Sequence, residues 1–244
     1  MLKTNTTTPA LLEVLNIFMK FPELEDFRLV GGTALSLQLG HRLSVDIDLF
    51  TFNDTKQINF NEIENKIISL GFPFYSNTEQ NLPDDIKNKN SLFIYVGESE
   101  DKSVKVDILN WSENFFFDEI KIDGIRMATI EEFAIMKLEI IGRGGGRKKD
   151  YWDLSEILET RTMKELLDIY KKKYYYLDIR GINNLTNFSV ADYNFDPICL
   201  KGKFWDVIKT DFEKEYKALK VLGKSKGLSI VISFLYFAYY CLIN

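Results

Sequence analysis

Residues 27–50 contain the feature that most constrains this chain, a glycine pair placed ahead of two aspartates that alternate along an expected strand. Neighbouring side chains of a β-strand point to opposite faces, so Asp46 and Asp48 share one face. The other face takes the apolar residues of this run, which are Val45, Ile47 and Leu49. The pattern predicts a strand with one apolar side and one side that carries two carboxylates.

Two neighbouring carboxylates need a counter-charge. At a separation of about 4 Å they repel each other by roughly 4 kcal/mol at an effective dielectric constant of about 20. Such a pair therefore holds either a proton or a cation. Mg²⁺ is usually bound by one or two carboxylates together with substrate phosphates. Because the chain has one histidine, His41, and two distant cysteines, Cys199 and Cys241, we expect Mg²⁺ or Mn²⁺ rather than zinc.

A third carboxylate, Asp107, lies in a separate pair of β-rich runs, 92–96 and 104–109, which a polar segment joins as an expected hairpin. Asp107 alternates with apolar residues and shares a face with Lys105. If this strand lies beside the first, the three aspartates line one site and hold the metal. An outward, solvated Asp107 is the alternative, and spacing alone does not decide between the two.

The glycine pair, Gly31 and Gly32, stands between an apolar run and a helix-like run that begins at Thr33. Glycine allows a sharp turn, and the first N–H groups of a helix lack partners within it, so they suit an anion. We expect these three residues to cradle nucleotide phosphates. A Gly-Gly pair alone is weak evidence, and the alternative is a plain turn followed by a calcium-like or merely solvated acidic strand.

The glycine pair, the strand with Asp46 and Asp48, and the later strand with Asp107 together resemble the DNA polymerase beta-type nucleotidyltransferase superfamily. The run from Gly31 to Phe50 is followed by Lys137 and by the segment 149–153, Lys-Asp-Tyr-Trp-Asp. This longer pattern is similar to the AbiEii/AbiGii toxin branch, which includes the MenT-type toxins. The similarity extends roughly over residues 27 to 155.

The resemblance implies an α+β fold, in which a small mixed β-sheet of the nucleotidyltransferase type has flanking helices and precedes a mainly helical C-terminal half. We expect residues 1–126 to form the nucleotidyltransferase core. Residues 127–244 would form the helical domain that contributes Lys137 and the Lys149-Asp150-x-x-Asp153 motif. Helical periodicity from residue 130 onward supports this division.

The resemblance also implies a function. The enzyme would move a nucleoside monophosphate from an NTP to an acceptor, with RNA and the tRNA 3′ end as the expected acceptor, and would need Mg²⁺ or Mn²⁺. It would act as the toxin of a toxin–antitoxin, or abortive infection, pair with a separately encoded antitoxin. Two alternatives stay open, which are transfer to a protein hydroxyl and a catalytically inactive nucleotide-binding module.

Further site residues follow from the same resemblance. Arg42 matches a position that orients phosphate or braces the carboxylates, although its chemistry fits a structural salt bridge equally well. Lys137 interrupts the apolar stripe of a helix expected over residues 130–141, and it is interpreted as neutralising triphosphate charge. A lysine whose ammonium snorkels to water is the alternative.

The motif at residues 149–153 carries the last candidates. Lys149, Asp150 and Asp153 would handle the nucleotide, and Asp150 is also a candidate base. Asp150 and Asp153 lie one helical turn apart, so we expect both to face the packed side of their helix. Acidic residues that favour the start of a helix are the alternative explanation.

A net charge of −5 argues against a broad basic surface, so any RNA contact should be local, at the basic residues of 143–149 and 171–173. The alternatives, which the pattern favours, are a mobile linker at 142–149 and, at 171–176, the solvated end of a helix with its tyrosines in the core. The N-terminus shows no secretory signal, and we expect a cytoplasmic protein. Residues 228–243 carry no charge, and as a helix they would span about 24 Å, less than the ~30 Å bilayer core. We expect them to form a buried terminal helix or strand, with a short membrane anchor as the alternative.

Overall fold

The structure, a computed structural model, describes residues 1–54, 58–79, 90–174 and 184–221 of the 244-residue chain. The strands are β1 (Arg28–Val30), β2 (Asp46–Thr51), β3 (Phe74–Asn77), β4 (Ser91–Gly97), β5 (Ser103–Asn110), β6 (Ile120–Ile122) and β7 (Ile125–Met127). The helices are α1 (Pro9–Phe18), α2 (Gly31–Leu39), α3 (Phe60–Ser69), α4 (Ile130–Gly142), α5 (Lys148–Ile157) and α6 (Met163–Lys173). Residues 205–221 are also helical.

Within the described residues, the strands form one seven-stranded sheet in the order β3-β4-β5-β2-β1-β7-β6. β2 is parallel to β5 and β1 is parallel to β7, whereas the other neighbours are antiparallel. The predicted hairpin is confirmed as β4 and β5. The predicted α+β fold with a mixed sheet is also confirmed.

One face of the sheet forms the core of the half of the chain that contains it. Ile47 and Leu49 of β2, like Val106 and Ile108 of β5, are at most 1% exposed. They share this face because side chains alternate along a strand, and helix α1 packs against both strands. Each such burial stabilises the fold by roughly 1.5–3 kcal/mol. The expectation for Val45 was wrong, because β2 begins after it and its side chain is 58% exposed.

The chain divides into two compact units. The first contains Met1–Lys137 together with Asp196–Lys203 and includes the whole sheet. The second contains Leu138–Phe195 and the residues from Phe204 onward, of which 138–174, 184–195 and 204–221 are described. The division falls within α4, whereas the sequence predicts a domain boundary at residues 126–127.

An aromatic cluster forms the core of the second unit. The ring of Tyr151 is 1% exposed and lies 5.1 Å from the ring of Phe212 and 5.7 Å from that of Trp205, measured between ring centres. Its hydroxyl donates a hydrogen bond of 3.0 Å to the carbonyl oxygen of Asn187. Lys148 is 7% exposed, with its ammonium 5.3 Å from the Trp205 ring centre. This lysine is therefore packed into the unit rather than displayed for RNA.

Arg126 connects β7 to the chain ahead of β1. Its guanidinium donates to three backbone carbonyl oxygens, those of Met19, Leu24 and Phe27, at distances of 2.9–3.0 Å. Replacing Arg126 by Met would leave these acceptors without their donor. We expect the free energy of unfolding, measured by urea denaturation, to fall by about 2–3 kcal/mol.

The matched control for this prediction is Lys121→Met. Lys121 lies directly opposite Arg126 in the β6–β7 hairpin, is exposed, and has no hydrogen bond to any described residue. Its replacement should change the free energy of unfolding by less than about 0.5 kcal/mol. Equal losses for the two variants would show that the three carbonyl contacts of Arg126 do not stabilise the fold.

No helix in the described part of the chain combines the length and apolar character needed to cross a membrane. The apolar segment 228–243 lies outside the described residues, as do Tyr175 and Tyr176 beside the lysines of α6. The predictions for these segments therefore stay predictions.

Candidate functional site

Four residues on β2 and β5 form a charged surface, which we call the acid face. Asp46 and Asp48 lie on the face of β2 opposite its buried residues, and both are half-buried. The parallel register places Asp48 directly beside Asp107 and Asp46 directly beside Lys105. Adjacent strands are about 4.8 Å apart, so Asp48 and Asp107 are immediate neighbours.

Lys105 supplies a positive charge to the acid face through an ion pair with Oδ2 of Asp107. Burial lowers the pKa of Lys105, but its hydrogen bond to Asp107 and the charges of Asp107, Asp46 and Asp48 together raise that pKa above its ordinary value. Oδ1 of Asp107 is buried and has no hydrogen-bond partner among the described residues. Because an unpartnered buried anionic oxygen is costly, it favours binding of a cation or a proton donor.

Gly31 begins α2 directly against the carboxylate of Asp48. Its φ of +71° lies in the left-handed region, and a Cβ at this position would be 2.1 Å from Oδ2 of Asp48. Only glycine meets both conditions without displacing the aspartate. The N-terminal turn of α2, with N–H groups that have no partner within the helix, therefore starts beside the acid face.

Arg42 packs against the same turn. A Cβ on Gly32 would lie 2.2 Å from Nη2 of Arg42 and 3.1 Å from Oγ of Ser44. Arg42 is only 4% exposed, and its Nη1 donates to the carbonyl oxygen of Leu43 at 3.0 Å. The guanidinium therefore supports the first turn of α2 from within the fold.

The side chain of Thr33 points into the protein. It is 1% exposed, its hydroxyl donates to the carbonyl oxygen of Asp46, and the same hydroxyl lies 2.9 Å from that of Ser44. These hydrogen bonds hold α2 against the start of β2 and so fix the position of Gly31 beside Asp48. The predicted contact between Thr33 and a phosphate stays a prediction.

Lys137 lies in α4 at the end of the first unit and is 5% exposed. Its stem is therefore packed in the fold, and the alternative in which the ammonium snorkels to water stays open. Glu132, one helical turn and one residue earlier, is completely buried and accepts the N–H groups of Phe116 and Phe117 at 2.8 and 2.9 Å. The predicted role of Lys137 toward a triphosphate stays a prediction.

Three predicted site residues, Lys149, Asp150 and Asp153, lie on α5 in the second unit. Both aspartates have no exposed surface. Oδ2 of Asp150 accepts a hydrogen bond of 3.0 Å from the backbone N–H of Arg147 and one of 3.3 Å from its Nε. Asp150 thus caps the start of α5, which is the structural explanation that the sequence left open. The nucleotide-handling roles of all three residues stay predictions.

The acid face offers oxygen ligands for a metal but not a complete cage. Among residues 1–54, 58–79, 90–174 and 184–221, no three His, Cys, Asp or Glu side chains are grouped as ligands of one ion. Mg²⁺ usually keeps several waters and binds through one or two carboxylates plus substrate phosphates. A carboxylate pair that a nucleotide completes therefore fits Mg²⁺, and the unpartnered Oδ1 of Asp107 agrees with this assignment.

The described residues also form a half-open pocket of about 280 Å³ that none of the predicted site residues lines. Its lining consists of Asp26, Arg28, Thr51, Phe52, Asn53, Asn114 and Phe115. It contains one carboxylate and no helix N-terminus, so it lacks the groups that metal-dependent phosphate chemistry needs. The acid face has both several carboxylates and the start of helix α2, and we place the candidate site there.

Sequence reasoning assigned no role to Lys105 or to two aromatic residues of β4. Phe93 lies directly opposite Asp107, and Tyr95 lies directly opposite Lys105, in the antiparallel β4–β5 pair. Residues that face each other across strands share a side of the sheet, so these half-buried rings border the acid face. The alternation of β4 contains this signal, but the register with β5 was needed to place the rings beside the acids.

Comparison with known proteins places the chain in a family. A family model described as "Nucleotidyl transferase AbiEii toxin, Type IV TA system" matches residues 13–187, which include the acid face, α2 and α5. An uncharacterized protein of Aquifex aeolicus (strain VF5) is 28% identical over 206 residues, covering 79% of this chain and 87% of that protein.

Two solved structures share the fold. JHP933 from Helicobacter pylori has a TM-score of 0.52 at 15% sequence identity, and the match covers 91% of this chain and 94% of that one. MenT4, a nucleotidyltransferase toxin from Mycobacterium tuberculosis H37Rv, has a TM-score of 0.51 at 15% identity, with 83% and 82% covered. At this identity the likeness shows the fold alone.

Proposed function

Because the chain belongs to the AbiEii family of nucleotidyltransferase toxins, we propose that it transfers a nucleoside monophosphate from an NTP to an RNA acceptor at the acid face. The observation that carries this proposal is the pairing of Asp48 with Asp107 across β2 and β5, with Gly31 directly against Asp48. Carboxylates suited to a metal ion and helix N–H groups suited to phosphates thereby lie within one short region.

In the proposed reaction, the acceptor hydroxyl oxygen forms a bond to the α-phosphorus of the NTP. The bond between that phosphorus and the bridging oxygen breaks, and pyrophosphate leaves. Asp48 and Asp107, with Asp46 as a further ligand, would hold Mg²⁺ or Mn²⁺ together with the nucleotide phosphates. The metal would stabilise charge on the entering and leaving oxygens. Asp107 would also help to activate the acceptor oxygen by accepting its proton.

The start of α2 would hold the phosphates. Gly31 and Gly32 would present backbone N–H groups to them, Thr33 would position the turn, and Arg42 would support it. Four further candidates, whose roles rest on the family resemblance, are Lys137, Lys149, Asp150 and Asp153. The lysines would offset phosphate charge, and the aspartates would line the site that binds the nucleotide.

The proposed biological setting follows from the family. A toxin of this kind would act in the cytoplasm, would be held in check by a cognate antitoxin, and would modify the 3′ end of tRNA. A tRNA acceptor would explain growth inhibition by a single enzyme, because a blocked 3′ end cannot accept an amino acid.

Incubation with labelled nucleotide tests the proposal. The purified protein is mixed with each α-³²P-labelled NTP, with Mg²⁺ or Mn²⁺, and with total RNA or cell lysate. We expect label at RNA 3′ ends and none after EDTA removes the metal. Label on protein would contradict the RNA acceptor and favour a protein hydroxyl. Nucleotide binding without transfer in any mixture would contradict catalysis.

A further inference from the structure

Lys105 is the cation of the acid face, although neither the family nor the proposed reaction gives it a role. Its ammonium bonds to Asp107, and its backbone is in register with Asp46 on the neighbouring strand. The side chain is 36% exposed, compared with 16% for Asp107. The lysine therefore lies on the solvent side of the Asp107 carboxylate.

The Asp107 carboxylate cannot bind the Lys105 ammonium and a divalent cation without each weakening the binding of the other. The carboxylates of Asp46, Asp48 and Asp107 lie close together on one face of the sheet and repel one another. The ammonium of Lys105 cancels part of this repulsion. A metal bound to Asp107 would cancel the repulsion in its place, and would be repelled by an ammonium that stayed nearby. The two cations therefore compete for one site.

Lysine is suited to leave such a site. Its four-carbon stem is flexible, and its three N–H donors can rotate to meet a new partner. The planar guanidinium of arginine instead holds its donors in one fixed arrangement. The phosphates of a nucleotide, placed at the start of α2 beside Asp48, would give the released ammonium a new partner. Bare metal would bring the lysine no such partner.

We propose that Lys105 is an internal counter-ion that holds the acid face together without metal and must release Asp107 when a metal–nucleotide complex binds. This inference rests on the proposed function. Lys105 thereby disfavours bare metal and favours metal that arrives with phosphate. In this arrangement it sets the affinity of the site for metal, and after release its ammonium contacts the phosphates of the bound nucleotide.

Binding of Mn²⁺ alone tests the first half of the inference. Free Mn²⁺ is measured by its electron paramagnetic resonance signal during titration of the full chain, with no nucleotide present. We expect Lys105→Met to bind Mn²⁺ about tenfold more tightly than the natural protein, since one partly buried competing charge is removed. Lys105→Arg keeps the charge and should bind Mn²⁺ no more tightly than the natural protein.

A matched control separates this effect from a general change of charge. Lys102→Met removes an exposed lysine from the same hairpin that does not belong to the acid face. The ammonium of Lys102 pairs with Oε2 of Glu98 at 3.1 Å. The Mn²⁺ affinity of Lys102→Met should equal that of the natural protein. Unchanged or weaker Mn²⁺ binding by folded Lys105→Met would overturn the inference, and so would an equal gain in Lys102→Met.

Inorganic pyrophosphate tests the second half, because it offers phosphates without a base or sugar. In the natural protein, pyrophosphate should tighten Mn²⁺ binding, and by reciprocity Mn²⁺ should tighten pyrophosphate binding. In Lys105→Met this mutual gain should shrink by about fivefold or more, because no ammonium is released to the phosphates. An unchanged gain would overturn the inference.

The inference and the proposed function fail in different ways. If Lys105→Met leaves both Mn²⁺ affinity and the pyrophosphate effect unchanged while the natural protein labels RNA, the inference is wrong and the function stands. If Mn²⁺ binds more tightly to Lys105→Met and the pyrophosphate effect shrinks, but no acceptor is ever labelled, the counter-ion is real and the proposed function is wrong.

Discussion

Replacing Asp48 by Asn is expected to lower the rate of nucleotidyl transfer by at least about 10³-fold, which corresponds to about 4 kcal/mol of transition-state stabilisation. Asp48 is the centre of the candidate site, because it lies beside Asp107 on one side and against Gly31 on the other. Asparagine keeps the size of the side chain but removes the charge that a divalent cation requires. The rate is measured with labelled NTP and whichever acceptor the assay identifies.

Two controls make the Asp48 result interpretable. Asp101→Asn removes an exposed carboxylate that accepts a hydrogen bond from Ser99 at 2.7 Å, and it should leave the rate unchanged. Asp48→Asn should also remain folded, because it removes one of several neighbouring like charges. Undiminished transfer by folded Asp48→Asn would exclude this aspartate from the mechanism.

Replacing Gly31 by Ala should have the second largest effect. The added methyl group would lie 2.1 Å from Oδ2 of Asp48, at a backbone φ of +71° that residues with a side chain rarely adopt. Either the start of α2 or the carboxylate must move. We expect the transfer rate to fall by at least about 10²-fold, since small displacements of positioned groups are costly in catalysis.

Backbone strain alone should not explain that loss, and Gly71→Ala tests this point. Gly71 has almost the same φ, +70°, but a Cβ there would meet no atom within 4 Å. Both variants should lose about 1–2 kcal/mol of unfolding free energy from the left-handed backbone. Only Gly31→Ala should lose activity. Equal activity in the two variants would mean that the close packing of Gly31 on Asp48 has no part in the reaction.

Local sequence patterns predicted most of the longer strands and helices. Strict alternation predicted the two faces of β2 and β5, and the polar segment between two β-rich runs predicted the β4–β5 hairpin. Helical spacing likewise predicted α4, found at Ile130–Gly142. These elements were readable because one side of each is buried, which leaves a period in the sequence.

Features that depend on distant pairing were not readable. The short strands β3, β6 and β7 have three or four residues each, too few for a period to appear. The return of Asp196–Lys203 to the first unit rests on backbone hydrogen bonds, such as that from the N–H of Leu43 to the carbonyl oxygen of Ile198 at 2.9 Å. Backbone groups of this kind are the same for every residue type and leave no mark in sequence.

The candidate site shows the same limit. The sequence placed each of Asp46, Asp48 and Asp107 on the polar side of its own strand, but only the sheet order made Asp107 a neighbour of Asp48. The ion pair of Lys105 could not be anticipated, because a lysine two residues before an aspartate has many other possible partners. The capping role of Asp150 also appeared only once the start of α5 at Lys148 was known.

The central claim is that Asp48 and Asp107 share a divalent cation during nucleotide binding. Anomalous scattering from Mn²⁺, in crystals grown with Mn²⁺ and a non-hydrolysable NTP, tests it most directly. We expect an anomalous peak on the acid face, within about 2.5 Å of oxygens from both carboxylates and from the phosphates. A bound nucleotide whose Mn²⁺ lies elsewhere, with Asp107 still paired to Lys105, would contradict it.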